Sequence, residues 1–424
     1  MKTAKRIFKN AFVLLSAHVV SKILAFLYIM YAARYLQASG FGVLSFALAL
    51  AGMFGVLADI GLQSLMIREL ARESAQVKKY LSNVSCIKIL LSAAVMMIMM
   101  LTVHLLGYPS NTVQVVLFIG LYVILGSFTE MIYSVFRACE QMELVSLGII
   151  LKDVLLFSGI VYAIANRFSI VGIAVIYTVS GAAVLFYALS VLNIRVLKPG
   201  SRWLPWIMGL NLRFWKITVR KALPFGLSAF FVMLYFWVDS VMLSFMKGNE
   251  VVGLYNAAYR IVLVFTLIPA AIVNALFPVI SRYFKTSYEN LISIYENSFK
   301  YLLLMGLPVG VGVTFLADMI IPLIFGSSYN PAVPVLEILI WAGVLMFPTT
   351  LFGTVLASID RQNLGMYAVG FCALINIVLN MILIPRYSYL GAAYATVITE
   401  VVGFALQYWF LSKHLHAINL PRTV

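Results

Sequence analysis

The sequence predicts an all-α integral membrane protein, with about twelve transmembrane helices in two six-helix lobes related by a parallel repeat. Three observations predict this fold class: the composition, the long apolar runs and the likeness of the two halves. Of 424 residues, 63% are hydrophobic and only 11% are charged, whereas a soluble domain is about 45–50% apolar and about 25% charged. Lipid is therefore the solvent for most of the chain.

About twelve apolar runs are long enough for a spanning helix, which needs about 20 mostly apolar residues. A membrane barrel would instead show strands of about 10 residues with alternating polarity. The basic N-terminus precedes a run without a small-residue cleavage site, so we expect a retained first span. The runs cover residues 10–33, 41–66, 81–106, 113–136, 145–165, 170–193, 222–246, 252–278, 298–317, 332–357, 363–384 and 390–411.

The positions of the basic residues predict the orientation. With the N-terminus inside, 22 of the 30 lysines and arginines lie in inner segments and 4 in outer segments. Cytoplasmic loops of membrane proteins are rich in Lys and Arg, so we predict a multi-pass protein of the cell (cytoplasmic) membrane with both termini cytoplasmic. This asymmetry also accounts for the net charge of +15, and we expect no nucleic-acid partner.

The hydrophilic stretches predict four segments. Residues 1–193 form the N-terminal six-helix lobe, and residues 194–221 form a basic cytoplasmic linker that lies on lipid headgroups. Residues 222–411 form the C-terminal six-helix lobe, and residues 412–424 form a cytoplasmic tail.

Two pairs of glycines indicate that the halves are repeats. Gly42 aligns with Gly253 at an offset of 211 residues, and Gly172 aligns with Gly391 at an offset of 219. An even number of spans in each half gives the halves the same orientation. Transporters built this way bind substrate between their halves and rock.

Ionisable residues inside a spanning helix are costly and mark function by default. Lys22 shares a polar stripe of the first span with His18 and Ser21, which predicts either a water-filled cavity or a buried structural ion pair. Arg260 lies in the eighth span, one turn after Asn256. Because arginine grips phosphate bidentately, we expect substrate contact there; the alternative is snorkelling to the outer interface. The substrate-binding candidates are Lys22, Arg260, His18 and Asn256.

Three carboxyls on polar helix faces are candidates for ion coupling: Asp59, Asp239 and Glu130. Asp59 is predicted to share a helical face of the second span with Gly52, Gly55 and Gln63. Each carboxyl is expected to carry a proton, to hold a sodium ion or to neutralise a neighbouring cation.

Other charges have simpler interpretations. Lys88, Lys152 and Asp153 lie within a few turns of the predicted cytoplasmic ends, where snorkelling is cheap. Glu400 is interpreted as a protonated packing residue of the twelfth span.

Motifs for enzymes, cofactors and metals are absent from the sequence. It contains no GxxxxGK[ST] loop and no HExxH, and its three cysteines form no CxxC spacing. These patterns carry nucleotide and zinc chemistry, and disulfide frameworks need paired cysteines. We therefore expect a protein that is not an enzyme, with no cofactor and no metal site.

An ordered set of motifs runs along nearly the whole chain. They are GFG at 40–42, ADIGL at 58–62, RELAR at 68–72, VDSVML at 238–243, VGLYNAAYR at 252–260, LFPVIS at 276–281 and GAAYAT at 391–396. This set resembles the polysaccharide biosynthesis (Wzx-type) flippases of the multidrug/oligosaccharidyl-lipid/polysaccharide exporter superfamily.

The resemblance implies two lobes in a V shape that flip a polyprenyl-diphosphate-linked oligosaccharide from the inner to the outer leaflet. Ion-coupled alternating access would drive this step, for cell-surface polysaccharide or glycan assembly. The implied partners are the lipid-linked glycan, membrane lipids, a coupling ion (proton or sodium) and glycan assembly enzymes. Lys22 and Arg260 match the expected cations of the first and eighth helices. The related lipid II flippases have fourteen spans, which makes that cargo less expected here.

Two alternatives stay open. A drug/cation antiporter of the same superfamily would need an acidic or neutral cavity, whereas Lys22 and Arg260 favour an anionic cargo. A membrane-embedded glycan polymerase or ligase would need a large outer loop with catalytic Arg or His, and the predicted outer loops are short.

Overall fold

The computed structural model describes residues 2–195 and 211–415, and within these ranges the chain forms helices and no strands. Part of the predicted linker (196–210) and most of the predicted tail (416–424) lie outside the described residues. The helices are α1 (Lys2–Gly55), α2 (Leu62–Arg72), α3 (Val77–Leu105), α4 (Ser110–Ala138), α5 (Met142–Ala165), α6 (Ile170–Arg195), α7 (Leu212–Lys247), α8 (Asn249–Phe265), α9 (Leu267–Thr286), α10 (Tyr288–Phe325), α11 (Val333–Ser358) and α12 (Gln362–His414).

Among the described residues, ten helical stretches are long and apolar enough to cross a membrane. Two of them, Val13–Ala58 and Gln362–His414, have 46 and 53 residues, about twice the length that one span needs. Each contains one non-helical residue, Gln37 in α1 and Ser388 in α12. The predicted all-α multi-pass fold is confirmed, and the number of twelve spans stays a prediction.

The chain divides into two compact units. The first unit comprises Met1–Leu36 and Val43–Met233, and the second comprises Gln37–Gly42 and Leu234–Val424. The unit boundaries thus fall inside α1 and α7. Residues 212–221 of the predicted linker form the first turns of α7. The division at residues 193 and 222 stays a prediction.

Each unit has its own apolar core. In the first unit, Leu65, Val84 and Phe136 are fully buried in a cluster formed chiefly by α2, α3 and α4. In the second unit, Phe352 of α11 stacks on Phe299 of α10 with ring centroids 5.8 Å apart. Offset aromatic packing of this kind adds to the free energy gained from burial.

Backbone conformations recur at the spacing that the repeat predicts. Gln37 has φ 58° and ψ 179°, and Gly248, 211 residues later, has φ 91° and ψ 172°. Both residues directly precede a helical segment. A positive φ is rare for a residue with a side chain, so its recurrence at the aligned position supports the repeat.

A second recurring backbone feature is the turn that follows α4 and α11. Glu140 and Asp360 both have φ 59°. In each turn the following residue donates its N–H to a carbonyl five residues back, Gln141 to Phe136 and Arg361 to Leu356, both at 2.8 Å. The two turns therefore have the same helix-ending geometry, at an offset of 220 residues.

The aligned glycines lie against each other in the second unit. A Cβ built on Gly42 would lie 1.6 Å from the carbonyl oxygen of Asn249, and one built on Gly253 would lie 2.0 Å from that of Ala38. Ala38 and Asn249 are also 211 residues apart. The two segments thus make the same contact with each other in both directions, as in an isologous interface.

The predicted second span (41–66) is wrong in its last part. Helix α1 ends at Gly55, and a 3₁₀ turn follows at Val56–Ala58. Gly61 then adopts φ 83° before α2 begins. A Cβ on Gly61 would lie 2.5 Å from the backbone nitrogen of Gly226, inside α7, so glycine is required both for conformation and for close approach. Asp59 therefore lies in a break and not on a helical face shared with Gly52 and Gly55.

Candidate functional site

The first polar group is built around the break at Asp59. The Asp59 carboxylate accepts a hydrogen bond from Lys88 Nζ of α3 at 2.6 Å, and the Lys88 side chain is 0% exposed. Its other oxygen lies 3.3 Å from the Gln63 backbone N–H in the first turn of α2. The interpretation of Lys88 as a snorkelling residue is wrong, since its ammonium is buried and paired. Removing one partner of such a buried ion pair destabilises the fold, because the other charge is left buried and uncompensated.

Glu130 of α4 continues this group. Its Oε2 accepts hydrogen bonds from Gln63 Nε2 at 2.8 Å and from Arg137 Nη1 at 2.9 Å. Gln63 therefore links the Asp59 and Glu130 carboxylates. The Arg137 side chain is mostly buried and the Glu130 side chain is half-exposed. Asp59 and Glu130, two of the three ion-coupling candidates, thus each have a basic ion-pair partner.

A basic group on α1 lies beside Glu130. His18 and Lys22 are both exposed on an apolar helix. The charges of Lys22, Arg137, Glu130 and Lys152 all act on the His18 imidazole. The structure therefore brings together two substrate-binding candidates, one ion-coupling candidate and two further cations.

The adjacent Ser21 faces inward instead. Its hydroxyl donates to Oδ2 of Asp153 on α5, and both side chains are buried. Lys152 Nζ lies 3.5 Å from the other oxygen of Asp153. Asp153 is thus buried and bound between α1 and α5, and its interpretation as a snorkelling residue is wrong. The Ser21–Asp153 contact fixes the rotation of α1 that leaves His18 and Lys22 exposed.

The second unit contains a polar group centred on Asp239 of α7. This carboxyl is 4% exposed. It accepts hydrogen bonds from Asn380 Nδ2 at 2.6 Å, from Tyr255 Oη at 2.8 Å and from Thr396 Oγ1 at 2.9 Å. Neutral donors from α8 and α12 therefore surround it, in contrast to Asp59 and Glu130.

Oxygen atoms predominate around Asp239. Asn376 accepts a hydrogen bond from Asn380 Nδ2 at 2.8 Å, and the buried Asn380 Oδ1 has no hydrogen-bond partner among the described residues. Carboxylate, amide and hydroxyl oxygens are the ligands of hard cations. Sequence reasoning missed Tyr255, Asn376, Asn380 and Thr396 as partners of Asp239. The i, i+4 spacing of the two asparagines inside an apolar run was the available signal.

A second buried carboxyl lies one turn from this group. Glu400 of α12 is 4% exposed, and Tyr235 of α7 donates its hydroxyl hydrogen to Glu400 Oε1. Tyr235 precedes Asp239 by one helical turn, and Glu400 follows Thr396 by one turn. The interpretation of Glu400 as a packing residue did not anticipate this phenol partner.

The remaining two substrate-binding candidates lie on α8. Asn256 is 1% exposed and donates to Ser240 Oγ at 2.9 Å and to the Val252 carbonyl at 3.0 Å. Arg260, one turn later, is half-buried. Its charge and those of Asp239 and Glu400 act on the hydroxyl of Tyr259. The Tyr259 hydroxyl is thus within electrostatic range of Arg260 and of both buried carboxyls.

Metal sites built from charged or thiol ligands are not found in the part of the chain that the structure describes. No three His, Cys, Asp or Glu side chains there lie close enough together to hold a metal ion. The oxygen-rich surroundings of Asp239 are of a different kind, since a single carboxylate is combined with neutral oxygens.

Comparison with known proteins agrees with the fold. A family model described as polysaccharide biosynthesis protein matches residues 7–284, and a second model, MatE, matches residues 224–382. A probable low-salt glycan biosynthesis flippase, Agl15 of Haloferax volcanii, is 25% identical over 410 residues, covering 96% of this chain and 83% of that protein.

Two solved structures share the architecture. The lipid II flippase MurJ in an inward closed conformation has a TM-score of 0.77 at 16% identity, covering 95% of this chain and 87% of that chain. A multidrug resistance MATE family transporter in an inward-facing conformation has a TM-score of 0.71 at 15% identity, covering 95% and 98%. At these identities the likeness shows the fold alone, which is the predicted two-lobe transporter fold.

Proposed function

Because the chain belongs to the polysaccharide biosynthesis protein family, we propose that it flips a polyprenyl-diphosphate-linked oligosaccharide from the inner to the outer leaflet of the cell membrane. The resemblance to Wzx-type flippases is confirmed by the family match and by the relatives named as flippases. The protein is a membrane transporter of the flippase type.

The observation that carries the proposal of an anionic cargo is the basic group of the first unit. His18 and Lys22 are exposed on a spanning helix, and Arg137 and Lys152 lie within electrostatic range of His18. A diphosphate headgroup must leave water while its polyprenyl tail stays in lipid. Fixed cations at membrane depth stabilise it more than the same charges would in water. A cationic drug would be repelled by this group.

In the second unit, Arg260 supplies the planar guanidinium that suits a diphosphate oxygen pair. The Asn256 amide is already occupied by Ser240 and Val252. We therefore assign Asn256 a positioning role that fixes α8, and with it Arg260. Lys22, His18 and Arg260 remain the residues that contact cargo in this proposal.

Ion-coupled alternating access is the proposed source of energy, with Asp239 as the coupling group. Asp59 and Glu130 already neutralise Lys88 and Arg137, which favours structural roles for both carboxylates. Within the part of the chain that the structure describes, Asp239 instead accepts its hydrogen bonds from neutral donors. Its oxygen-rich surroundings suit a proton or a sodium ion, and gradient experiments separate the two.

The proposed arrangement in the cell keeps both termini on the cytoplasmic side. The asymmetry of the basic residues supports this orientation. Cytoplasmic glycan assembly enzymes would then complete the lipid-linked cargo on the side from which it enters the transporter.

A reconstitution experiment tests the function. Proteoliposomes containing a fluorescent polyprenyl-diphosphate disaccharide are treated with a membrane-impermeant quencher, which destroys only outer-leaflet fluorescence. The wild-type protein should let the quencher reach nearly all of the probe, and a Lys22→Ala, Arg260→Ala protein should leave about half protected. Equal protection with and without wild-type protein, together with export of ethidium from the same vesicles, would favour the drug antiporter instead.

A further inference from the structure

Helices α7 and α12 bind each other through two successive polar pairs. In the first pair, Thr396 of α12 donates to Asp239 of α7 at 2.9 Å. In the second, Tyr235 of α7 donates to Glu400 of α12. Each helix contributes one carboxyl and one hydroxyl, at i, i+4 spacing on the facing surface. The two carboxyls are therefore one helical turn apart, on opposite helices.

The two carboxyls differ in what they are able to bind. Asp239 is surrounded by hydroxyl and amide groups of three further residues. Among the described residues, Glu400 accepts a hydrogen bond from one side chain, the Tyr235 phenol. A hard metal cation needs several oxygen ligands, which Glu400 and one phenol do not supply. A proton needs only one oxygen.

We propose that Glu400 is a second ion-binding group of this transporter, one that takes up and releases a proton, and that it is separate from Asp239. When Glu400 is ionised, the Tyr235 hydroxyl donates to the carboxylate. When an aqueous proton binds, one O–H bond forms on Glu400, and the Tyr235 oxygen then accepts that hydrogen while its own O–H turns away. Tyrosine is both a donor and an acceptor, so the pair stays hydrogen-bonded in both states.

The charge of Glu400 acts on three groups from the packed elements. These are Tyr235 on α7, Tyr259 on α8 and Cys372 in the first part of α12. Tyr259 also lies in the fields of Asp239 and Arg260. Helix α11, which packs along α12, has Glu337 as its single ionisable side chain. A proton on Glu400 therefore changes the field at Tyr259, the residue next to Arg260, which is the proposed cargo contact of this unit.

The consequence for transport rests on the proposed function, but the proton site itself does not. In each transport cycle in which an ion binds to Asp239, a proton would also bind to Glu400. The binding of the two ions is linked because α7 and α12 each hold a member of both pairs.

Infrared difference spectroscopy on the purified full-length protein tests the site directly. A change of pH should produce a protonated-carboxyl C=O band that is lost in Glu400→Gln and kept in Glu289→Gln, which removes an exposed carboxyl of the same unit. Tyr235→Phe should shift the frequency of this band, because the carboxyl loses its hydrogen-bond partner. The Tyr235→Phe variant also serves if Glu400→Gln does not fold.

Three outcomes are distinguishable. A band that survives in Glu400→Gln, or that is unmoved in Tyr235→Phe, overturns the proton site. A band lost as expected, together with Glu400→Gln flipping that keeps the wild-type pH dependence, overturns its part in coupling. A band lost as expected in a protein that does not flip the diphosphate probe leaves the site standing and refutes the proposed function instead.

Discussion

Gly42 and Gly253 occupy the same position in the two repeats and pack against each other through their backbones. A Cβ on either residue would overlap a carbonyl oxygen of the other segment, at 1.6 Å and 2.0 Å. Glycine is required at both positions for space, because each lies inside a helical segment with no unusual φ. The contact also joins residues 37–42 to the second unit, although the rest of α1 belongs to the first.

Substituting either glycine by alanine should therefore destabilise the protein. We expect Gly42→Ala and Gly253→Ala to cost about 1–3 kcal/mol each, as overpacking does in a rigid contact, and to lower the thermal midpoint in detergent. Gly312→Ala is the control, since nothing lies within 4 Å of a Cβ there. If both alanine variants unfold at the wild-type thermal midpoint, the segments around Gly42 and Gly253 can move apart at little cost in free energy.

The Lys88–Asp59 pair should show strong coupling. Asp59→Asn leaves the fully buried Lys88 ammonium without its counter-ion, which costs about 3–5 kcal/mol. The double variant Lys88→Met, Asp59→Asn should recover much of this loss in thermal unfolding. Glu69→Gln breaks the partly exposed pair with Arg68 and should cost less than about 1 kcal/mol. Additive losses in the double variant would refute the coupling.

The two basic side chains proposed to contact cargo should differ in the substitutions that they tolerate. Lys22→Ala and Arg260→Ala should each abolish flipping of the diphosphate probe while the protein stays abundant in the membrane. Lys22→Arg should keep much of the activity, because charge matters there more than shape. Arg260→Lys should lose more, because a point charge replaces a bidentate grip. Full flipping by the double alanine variant would refute the cationic-cavity mechanism.

Asp239 is expected to control the response to the ion gradient. Asp239→Asn should keep binding of the fluorescent diphosphate probe and lose the acceleration that a sodium or proton gradient gives. Asp318→Asn, at an exposed position of the same unit, should behave as wild type. A gradient response that persists in Asp239→Asn would exclude this carboxyl, and applying one gradient at a time identifies the ion.

The orientation is tested by labelling single cysteines from outside the cell. In a background without Cys86, Cys139 and Cys372, an impermeant maleimide should modify Ser327→Cys and spare Ser201→Cys. Burial raises the pKa of the Cys139 thiol, which slows its reaction with maleimide. A protein that keeps Cys139 as its single cysteine is therefore a control with low labelling. The reverse pattern would overturn the orientation with both termini inside.

Composition and apolar run length were sufficient to predict the membrane fold, because lipid requires long apolar helices. The repeat was also visible, since Gly42 and Gly253 serve the same steric function. The break at Asp59 was not, because an apolar run looks the same whether its helix continues or stops. Gly61 was a local signal, because it adopts a left-handed conformation and leaves space for the backbone of Gly226.

Partners of the buried charges were harder to predict than the charges themselves. The sequence predicts Asp239 as an ion-coupling candidate together with Asp59 and Glu130, but its partners lie on α8 and α12, 16 to 157 residues away along the chain. Sequence position places Lys88 near the interface, but it does not reveal that Asp59, 29 residues earlier, neutralises it. Pairing across helices is a tertiary property that no periodicity records.

The burial of Lys88 also bears on how the chain enters the bilayer during synthesis. A lysine near the centre of a spanning helix raises the insertion cost by about 2.5–3.5 kcal/mol, and Lys88 lies near the middle of α3. Asp59 leaves the ribosome first, so its carboxylate is already present when α3 reaches the translocon. The segments before and after α2 are then best released into lipid together, as a neutral pair. The stretch of chain from Asp59 to Lys88 would thus be inserted as a single unit.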